Sequence, residues 1–265
     1  MADNAHAAPT EFHIRLPGPR LAGLVTRIIG WRAGAPLAEP MREPASLVCP
    51  LIVTFDGSFG ITLDRAAPEQ VTSFASGLHD GRVEIAAIGR PACVQIDFTP
   101  IGARRFFALP MGEMASRLVP LDCLDGSHSR ELADRLAEPD DWPSRLALAE
   151  DIVFSRIAAA QPLDAKLVAA WNLLSESRRD IRIAAIGEKL DWTRKQMAQT
   201  VRREFGLSPK TVARIARFER AHRIVMAGGN AFLADIAFDC GYADQAHMTR
   251  EFADFAGSTP GALLA

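Results

Sequence analysis

The sequence predicts an α+β protein. Residues 1–162 read as a small β-barrel or sandwich with appended helices, and residues 163–265 as an all-α part. Three observations lead there. Short apolar or alternating runs broken by Gly, Pro and Asp fill the first hundred residues. Beyond Ile101 the apolar residues recur at helical spacings. The charge divides at the boundary between the two parts, with 15 basic against 20 acidic residues up to Pro162 and 15 against 12 from Leu163 onward.

The predicted strands are Leu51–Phe55 before an Asp56-Gly57 turn, Gly60–Leu63, Val83–Ile85 and Cys93–Phe98. Short helices follow over Gly102–Leu109, Met111–Leu118 and Ser129–Ala137, and Pro143 opens a longer one reaching about Ala160. Gln161-Pro162 reads as the linker. Leu163, Leu167, Trp171 and Leu174 then mark one helical stripe, and Ile183, Ile186 and Leu190 a second helix closed by Asp191-Trp192. Thr193 caps a third with Met197, Val201 and Phe205 inward and Gly206 at its end. After Ser208-Pro209 a long helix carries Ile215, Phe218, His222 and Val225, until Gly228-Gly229 breaks it.

The pattern then repeats. Leu233, Ile236 and Cys240 form a short helix and Gly241-Tyr242-Ala243 a tight turn. Asp244 caps a helix with Met248, Phe252 and Phe255 inward, and Gly257-Ser258-Thr259-Pro260 repeats Gly206-Leu207-Ser208-Pro209. One unit of helix, turn, helix and Gly-x-[Ser/Thr]-Pro therefore occurs twice, joined by one helix.

Composition bounds the function. The chain holds 30 basic and 32 acidic residues, for a net charge of −2, with 48% apolar residues. Such a composition excludes wholesale disorder. Near-neutrality argues against a nucleic-acid partner only if the charge is evenly spread, and it is not. From Arg178 to Arg223 there are 13 basic against 5 acidic residues, whereas Ile224 to Ala265 has Arg250 against five acids. Cys49, Cys93, Cys123 and Cys240 lie 44, 30 and 117 residues apart among apolar neighbours, so they read as buried hydrophobes and not as metal or redox pairs. The N-terminus, with an early acid and His6, does not read as a secretory signal. The apolar stretch Pro44–Phe55 has 12 residues, against the roughly 18 a membrane span needs. The expectation is a soluble, cytoplasmic protein without a membrane partner.

In a helix-turn-helix, the first helix braces on the DNA backbone and the second enters the major groove N-terminal end first. The first such helix here begins Thr193-Arg194-Lys195. With Met197 and Val201 inward, Lys195, Ala198, Gln199 and Arg202 fall on or beside the opposite face. Gln suits adenine, Lys suits guanine, and Ala can touch a thymine methyl. On the second, Gln245, Ala246, His247 and Arg250 are the reading candidates. A charged helix face is often merely solvated, but this one follows a tight turn in an architecture that occurs twice.

From Leu163 to Leu264 the sequence resembles the AraC/XylS family of transcription regulators. The most specific stretch is Ala234-Asp235-Ile236-Ala237-Phe238-Asp239-Cys240-Gly241-Tyr242-Ala243-Asp244-Gln245-Ala246-His247, which is similar to the family's "IA-x-x-x-G-[YF]" turn and "DQ-[SA]-H" recognition helix. Glu219-Arg220-Ala221 falls in the linker-helix region. The resemblance implies a unit that places two recognition helices in adjacent major-groove segments of double-stranded DNA. RNA polymerase, a small-molecule effector and a second copy of the chain are its candidate further partners. Gln199 stands where many members have Arg, and Val201 where most have Phe. Glu251, Ala253 and Asp254 replace the usual basic residues, so the first unit is expected to supply most of the phosphate attraction and the second to act more through bases.

The segments Gly77–Arg82, Val94–Arg104 and Leu109–Leu121 are similar to the sensor half of one AraC-like subgroup, which implies a cupin-like β-domain followed by helices. No H-x-H pair accompanies His79 and Asp80 in the β-rich region, so neither a metal nor another cofactor is expected. Leu146, Val153 and Ile157 read as intramolecular core or as a dimer seam. Two other functions compete with regulation by DNA binding. One is a helix-turn-helix protein with a cysteine-based transfer activity at Cys49, Cys93 or Cys123. The other is a ligandless protein-interaction module on DNA. No P-loop, HExxH or GxSxG motif supports an enzyme.

Overall fold

Two long strands organise the N-terminal half. β4 (Cys49–Leu63) and β7 (Val83–Phe98) pair antiparallel from Cys49 opposite Phe98 to Leu63 opposite Val83. The four short strands expected here are therefore two bent ones, and Asp56-Gly57 is an irregularity within β4 instead of a turn between strands. The register slips between Thr54 and Asp56 and again before Ser58. Gly57 and Gly89 take left-handed backbone, and a Cβ on Gly57 would come within 2.7 Å of the Pro91 nitrogen. Bulges of this kind bend a strand and increase its twist.

The computed structural model describes residues 10–34, 39–64, 66–125, 127–176, 183–228 and 232–264. His6 and the N-terminal segment, Arg178, Arg179, Asp180, Arg182 and Gly229 lie outside them, as does the side chain of His128.

The other strands are β1 (Glu11–Arg15), β2 (Val25–Arg32), β3 (Met41–Glu43), β5 (Glu69–Val71), β6 (Phe74–Ser76) and β8 (Leu118–Pro120). They complete one antiparallel sheet in the order β1-β2-β7-β4-β6-β8, with β3 beside β7 and β5 beside β4. Alternation of side chains separates two faces. Cys49, Leu51 and Val53 with Val94, Ile96 and Phe98 are buried in the main core. Their neighbours Pro50, Ile52, Gln95 and Asp97 face a cavity described below.

Helices cover the main core. α1 (Pro100–Phe107) starts at Thr99, whose hydroxyl accepts the Gly102 N–H at 3.1 Å. Met111–Glu113 is a single 3-10 turn and not the start of a helix to Leu118, because Leu118–Pro120 pairs with β6 and Ser116 adopts left-handed backbone. α2 (Leu121–Asp125), α3 (Ser127–Ala137) and α4 (Trp142–Ala159) follow, the last capped by Asp141 with Pro143 in its first turn. Leu146, Val153 and Ile157 are buried against the sheet, so the α4 stripe is intramolecular core and not a dimer seam. Cys49, Cys93 and Cys240 are buried as expected, but Cys123 is exposed on the short α2.

The C-terminal part comprises α5 (Ala165–Ser175), α6 (Ile183–Leu190), α7 (Arg194–Phe205), α8 (Pro209–Met226), α9 (Leu233–Asp239), α10 (Gln245–Ala256) and α11 (Pro260–Leu264). Its apolar stripes join the core of the N-terminal half without a break. Among the described residues no helix is long and apolar enough to cross a membrane.

Gly102 sets the approach of α1 to the sheet, since a Cβ there would lie 1.9 Å from the Leu24 carbonyl oxygen. Gly102→Ala is expected to lower the unfolding free energy by about 3 kcal/mol, the upper end for overpacking. Urea denaturation checks this, and an unchanged midpoint would show that α1 can shift without cost.

Candidate nucleic-acid interface

Both turns are built by the same backbone device. The Trp192 N–H donates to the Gly187 carbonyl at 2.8 Å, and the Tyr242 N–H to the Ala237 carbonyl at 2.9 Å. Asp191 and Gly241 supply the left-handed residue that lets the chain reverse. A Cβ on Gly187 would lie 2.8 Å from the Trp192 carbonyl oxygen, so this closest approach requires glycine. The second turn is one residue longer, Ala243, before its cap.

Each turn delivers a well-capped helix. Thr193 and Gln196 form a reciprocal capping box at α7, with the Thr193 hydroxyl accepting the Gln196 N–H and the Gln196 side chain accepting the Thr193 N–H. At α10 the Asp244 carboxylate accepts the His247 N–H at 2.6 Å. Gly206 and Gly257 close the two helices in left-handed backbone. Met197, Val201 and Phe205 on α7, and Met248, Phe252 and Phe255 on α10, are buried.

The outer faces carry the candidate readers. Thr193, Arg194, Lys195, Ala198, Gln199 and Arg202 are exposed on the first helix and its cap, and Gln245, Ala246 and Arg250 on the second. Arg194, Lys195, Arg202 and Arg250 form no ion pair among the described residues, so their charges are available to phosphate. His247 stands apart. Its ring is half-buried, edge-on to Tyr242 at 5.3 Å, with Nε2 3.6 Å from Glu251.

The inner faces hold two buried carboxylates that sequence reasoning did not assign a place. Glu251 of α10 is 3% exposed and receives Arg214 Nε and Arg217 Nη2 of α8, each at 2.8 Å. Arg214 also donates to Asp254 at 3.2 Å. Glu204 of α7 receives Arg104 Nε of α1 at 3.0 Å and Arg203 Nε at 2.7 Å. Burial alone would raise both carboxyls, but hydrogen bonds and charge from their arginines outweigh it and hold each below the usual glutamate value. The acidity of Glu251 and Asp254 on α10 is thus largely cancelled in space by arginines from the basic window. Neither local pattern shows this, because every partner except Arg203 lies more than thirty residues away.

The N-terminal half touches both helix-turn-helix units. A Cβ on Gly112 would lie 2.5 Å from the Arg203 carbonyl oxygen, and one on Gly206 2.6 Å from Ala115. On the other side, the Ala45 N–H donates to the Phe255 carbonyl at 2.9 Å and the Leu47 N–H to Glu219 of α8 at 2.8 Å. Between that strap, the inner sheet face and α8 lies a cavity of about 880 Å³. His79 is in its wall, with Nδ1 donating to the Gly81 carbonyl at 2.7 Å. Burial lowers the His79 pKa, which favours a neutral ring in a structural setting. Sequence reasoning missed the cavity acids Glu43, Asp97 and Glu219, although the polar pair Gln95 and Asp97 at alternate positions of an otherwise apolar strand was a signal.

This arrangement defines a doubled helix-turn-helix domain joined to a β-domain. Residues 186–265 match a family model described as "Helix-turn-helix domain". The AraC-type resemblance of the C-terminal part thus stands. No curated protein matches the chain. A structure of ToxT from Vibrio cholerae is similar in fold, with a TM-score of 0.51 at 12% identity, over 97% of this chain and 97% of that one. Another, ToxT from Vibrio cholerae O395 bound to (E)-4-(8-methylnaphthalen-1-yl)but-3-enoic acid, gives a TM-score of 0.50 at 12% identity over the same shares. At this identity the likeness concerns the fold.

Glu251→Gln leaves two arginines facing a neutral amide and is expected to cost about 3 kcal/mol of stability. Both buried carboxyls titrate below 4.5 in the folded state. Their stabilisation is therefore complete above about pH 4.5 and is lost as pH falls through the folded values. The unfolding midpoint of the unaltered chain should drop more steeply below that pH than that of Glu251→Gln. Parallel acid limbs in the two profiles would contradict the assignment.

Proposed function

We propose that the protein is a sequence-specific DNA-binding transcription regulator in which α7 and α10 read adjacent major-groove segments. The observation that carries this reading is the pair of capped helices after matched turns, each with its apolar side buried and its polar side exposed. In this reading Thr193, Arg194, Lys195 and Arg202 hold phosphates or guanine, and Ala198 and Gln199 meet base edges. On α10, Gln245 and Ala246 read bases, Arg250 contacts base or phosphate, and His247 is braced by Tyr242 and Glu251 at the edge of the site. Residues 163–265 act as the DNA-binding part and residues 1–162 as the sensing part.

The cavity beside α8 supports a small-molecule effector, and a protein of similar fold is described as bound to a small carboxylic acid. A cysteine-based transfer activity is less well supported. Burial pushes the Cys93 thiol up to about 12 and raises Cys49 further, which removes the thiolate such chemistry needs at these two of its three candidate positions, while Cys123 is exposed.

The unpaired cations divide unequally, three on the first reading helix and Arg250 on the second. Arg202→Ala is expected to flatten the salt dependence of DNA binding by about one phosphate, a change of about 0.9 in the log–log slope. Arg250→Ala should weaken binding with a smaller change in slope. Gel shifts on the upstream region of its own gene across a salt series measure both. A full loss of slope with Arg250→Ala and none with Arg202→Ala would contradict the division, and no preference over unrelated DNA would contradict the function.

A further inference from the structure

The cavity between the sheet and α8 has an unusual charge inventory for a pocket that would receive an anion. Its apolar wall comes from Ile52, Ile61, Phe74, Val83 and Phe218, and its polar wall contains the three carboxylates of Glu43, Asp97 and Glu219. Asp97 is fully buried and receives Arg27 Nε at 2.5 Å and Gln95 Nε2 at 2.8 Å, so the Arg27 charge is already matched within the wall. Glu219 accepts the Leu47 N–H and stands one helical turn from Arg223, the second arginine of the lining. Glu43 alone of the three has no hydrogen bond or ion pair among the described residues, and it lines the cavity as an exposed residue at its rim.

The two histidines of the lining do not alter this balance. Burial lowers the pKa of both His79 and His222, which favours their neutral rings. Since Nδ1 of His79 donates to the Gly81 carbonyl, Nε2 of the neutral ring is an acceptor. Partial desolvation by the cavity wall, with the Asp97 charge nearby, raises the Glu43 carboxyl against the pull of Arg27, although the residue keeps one side open to solvent. A cation seated there would relieve both effects.

We infer that the cavity binds an amphipathic ligand with an apolar body and a primary-amine head, the head seated on the Glu43 carboxylate. An anionic head would place another negative charge near Glu43 and Asp97, while Arg27 is already paired with Asp97 and the exposed Arg223 lies one helical turn from Glu219, whose carboxyl feels its charge. An ammonium brings three donors to a wall rich in acceptors, and the apolar wall receives the body. This rests on the reading of the cavity as an effector site, and its ligand class is opposite in charge to the acid bound by the protein of similar fold.

Calorimetric titration of the full chain at about pH 7 with decylamine and with decanoate tests it, since the amine is protonated and the acid ionised there. Decylamine should bind saturably at one site, and decanoate at least about tenfold more weakly. Glu43→Gln should weaken decylamine about tenfold or more with the melting temperature unchanged. Decanoate binding as tightly as decylamine, an unchanged decylamine affinity in Glu43→Gln, or no saturable binding of either would each overturn the ligand class. None of these outcomes touches DNA binding, which the salt series measures separately.

Discussion

A buried carboxylate on the inner side of α7 and another on that of α10 set where each helix can stand. Glu251 ties α10 to Arg214 and Arg217 of α8, and Glu204 ties α7 to Arg104 of α1. Neither carboxylate can leave its arginines without leaving a charge in a desolvated place, which is far more costly than the pair is favourable. The apolar contacts beside them, Phe218 against Phe252 and Phe255, and Trp171 against Phe205, add close packing of tilted or edge-on rings. Hydrophobic burial would hold two amphipathic helices loosely; the ion pairs give them one register.

The same pairs divide the charge of the molecule by location. Arg214 and Arg217 of α8 turn toward the acids of the second unit, while Arg194, Lys195, Arg202 and Arg250 stay unpaired on the outer faces. A net charge near zero is then compatible with a strongly polarised surface, and in the proposed reading the long-range attraction to DNA comes from a few exposed cations. The N-terminal half enters this arrangement through α7 at Gly112 and through α8 at Glu219. In the proposed reading an effector in the cavity would press on the helix that joins the two reading units.

The C-terminal half was legible because its determinants are local. Caps at Thr193, Ser208 and Asp244, the Gly206 and Gly257 ends and the buried stripes all sit within a turn or two of the elements they define. The N-terminal half was legible in class but not in detail. Asp56-Gly57 looks like a hairpin turn, yet Gly57 packs against Pro91 and lets one strand bend instead. Met111–Leu118 has helical apolar spacing, but pairing with β6 claims its end. Beyond the polar alternation of Gln95 and Asp97, the ion pairs and the cavity were not legible, since Glu43, Asp97 and Glu219 meet only once the chain has folded.

Selection of bound sequences from a random DNA library with the full chain tests most directly whether the two reading helices act as one fixed pair. A rigid pair predicts a motif of two subsites separated by a single spacing, close to one helical turn of about 10 base pairs. A motif with one subsite, or two subsites at variable spacing, would show that the buried carboxylates do not hold α7 and α10 in one arrangement on DNA.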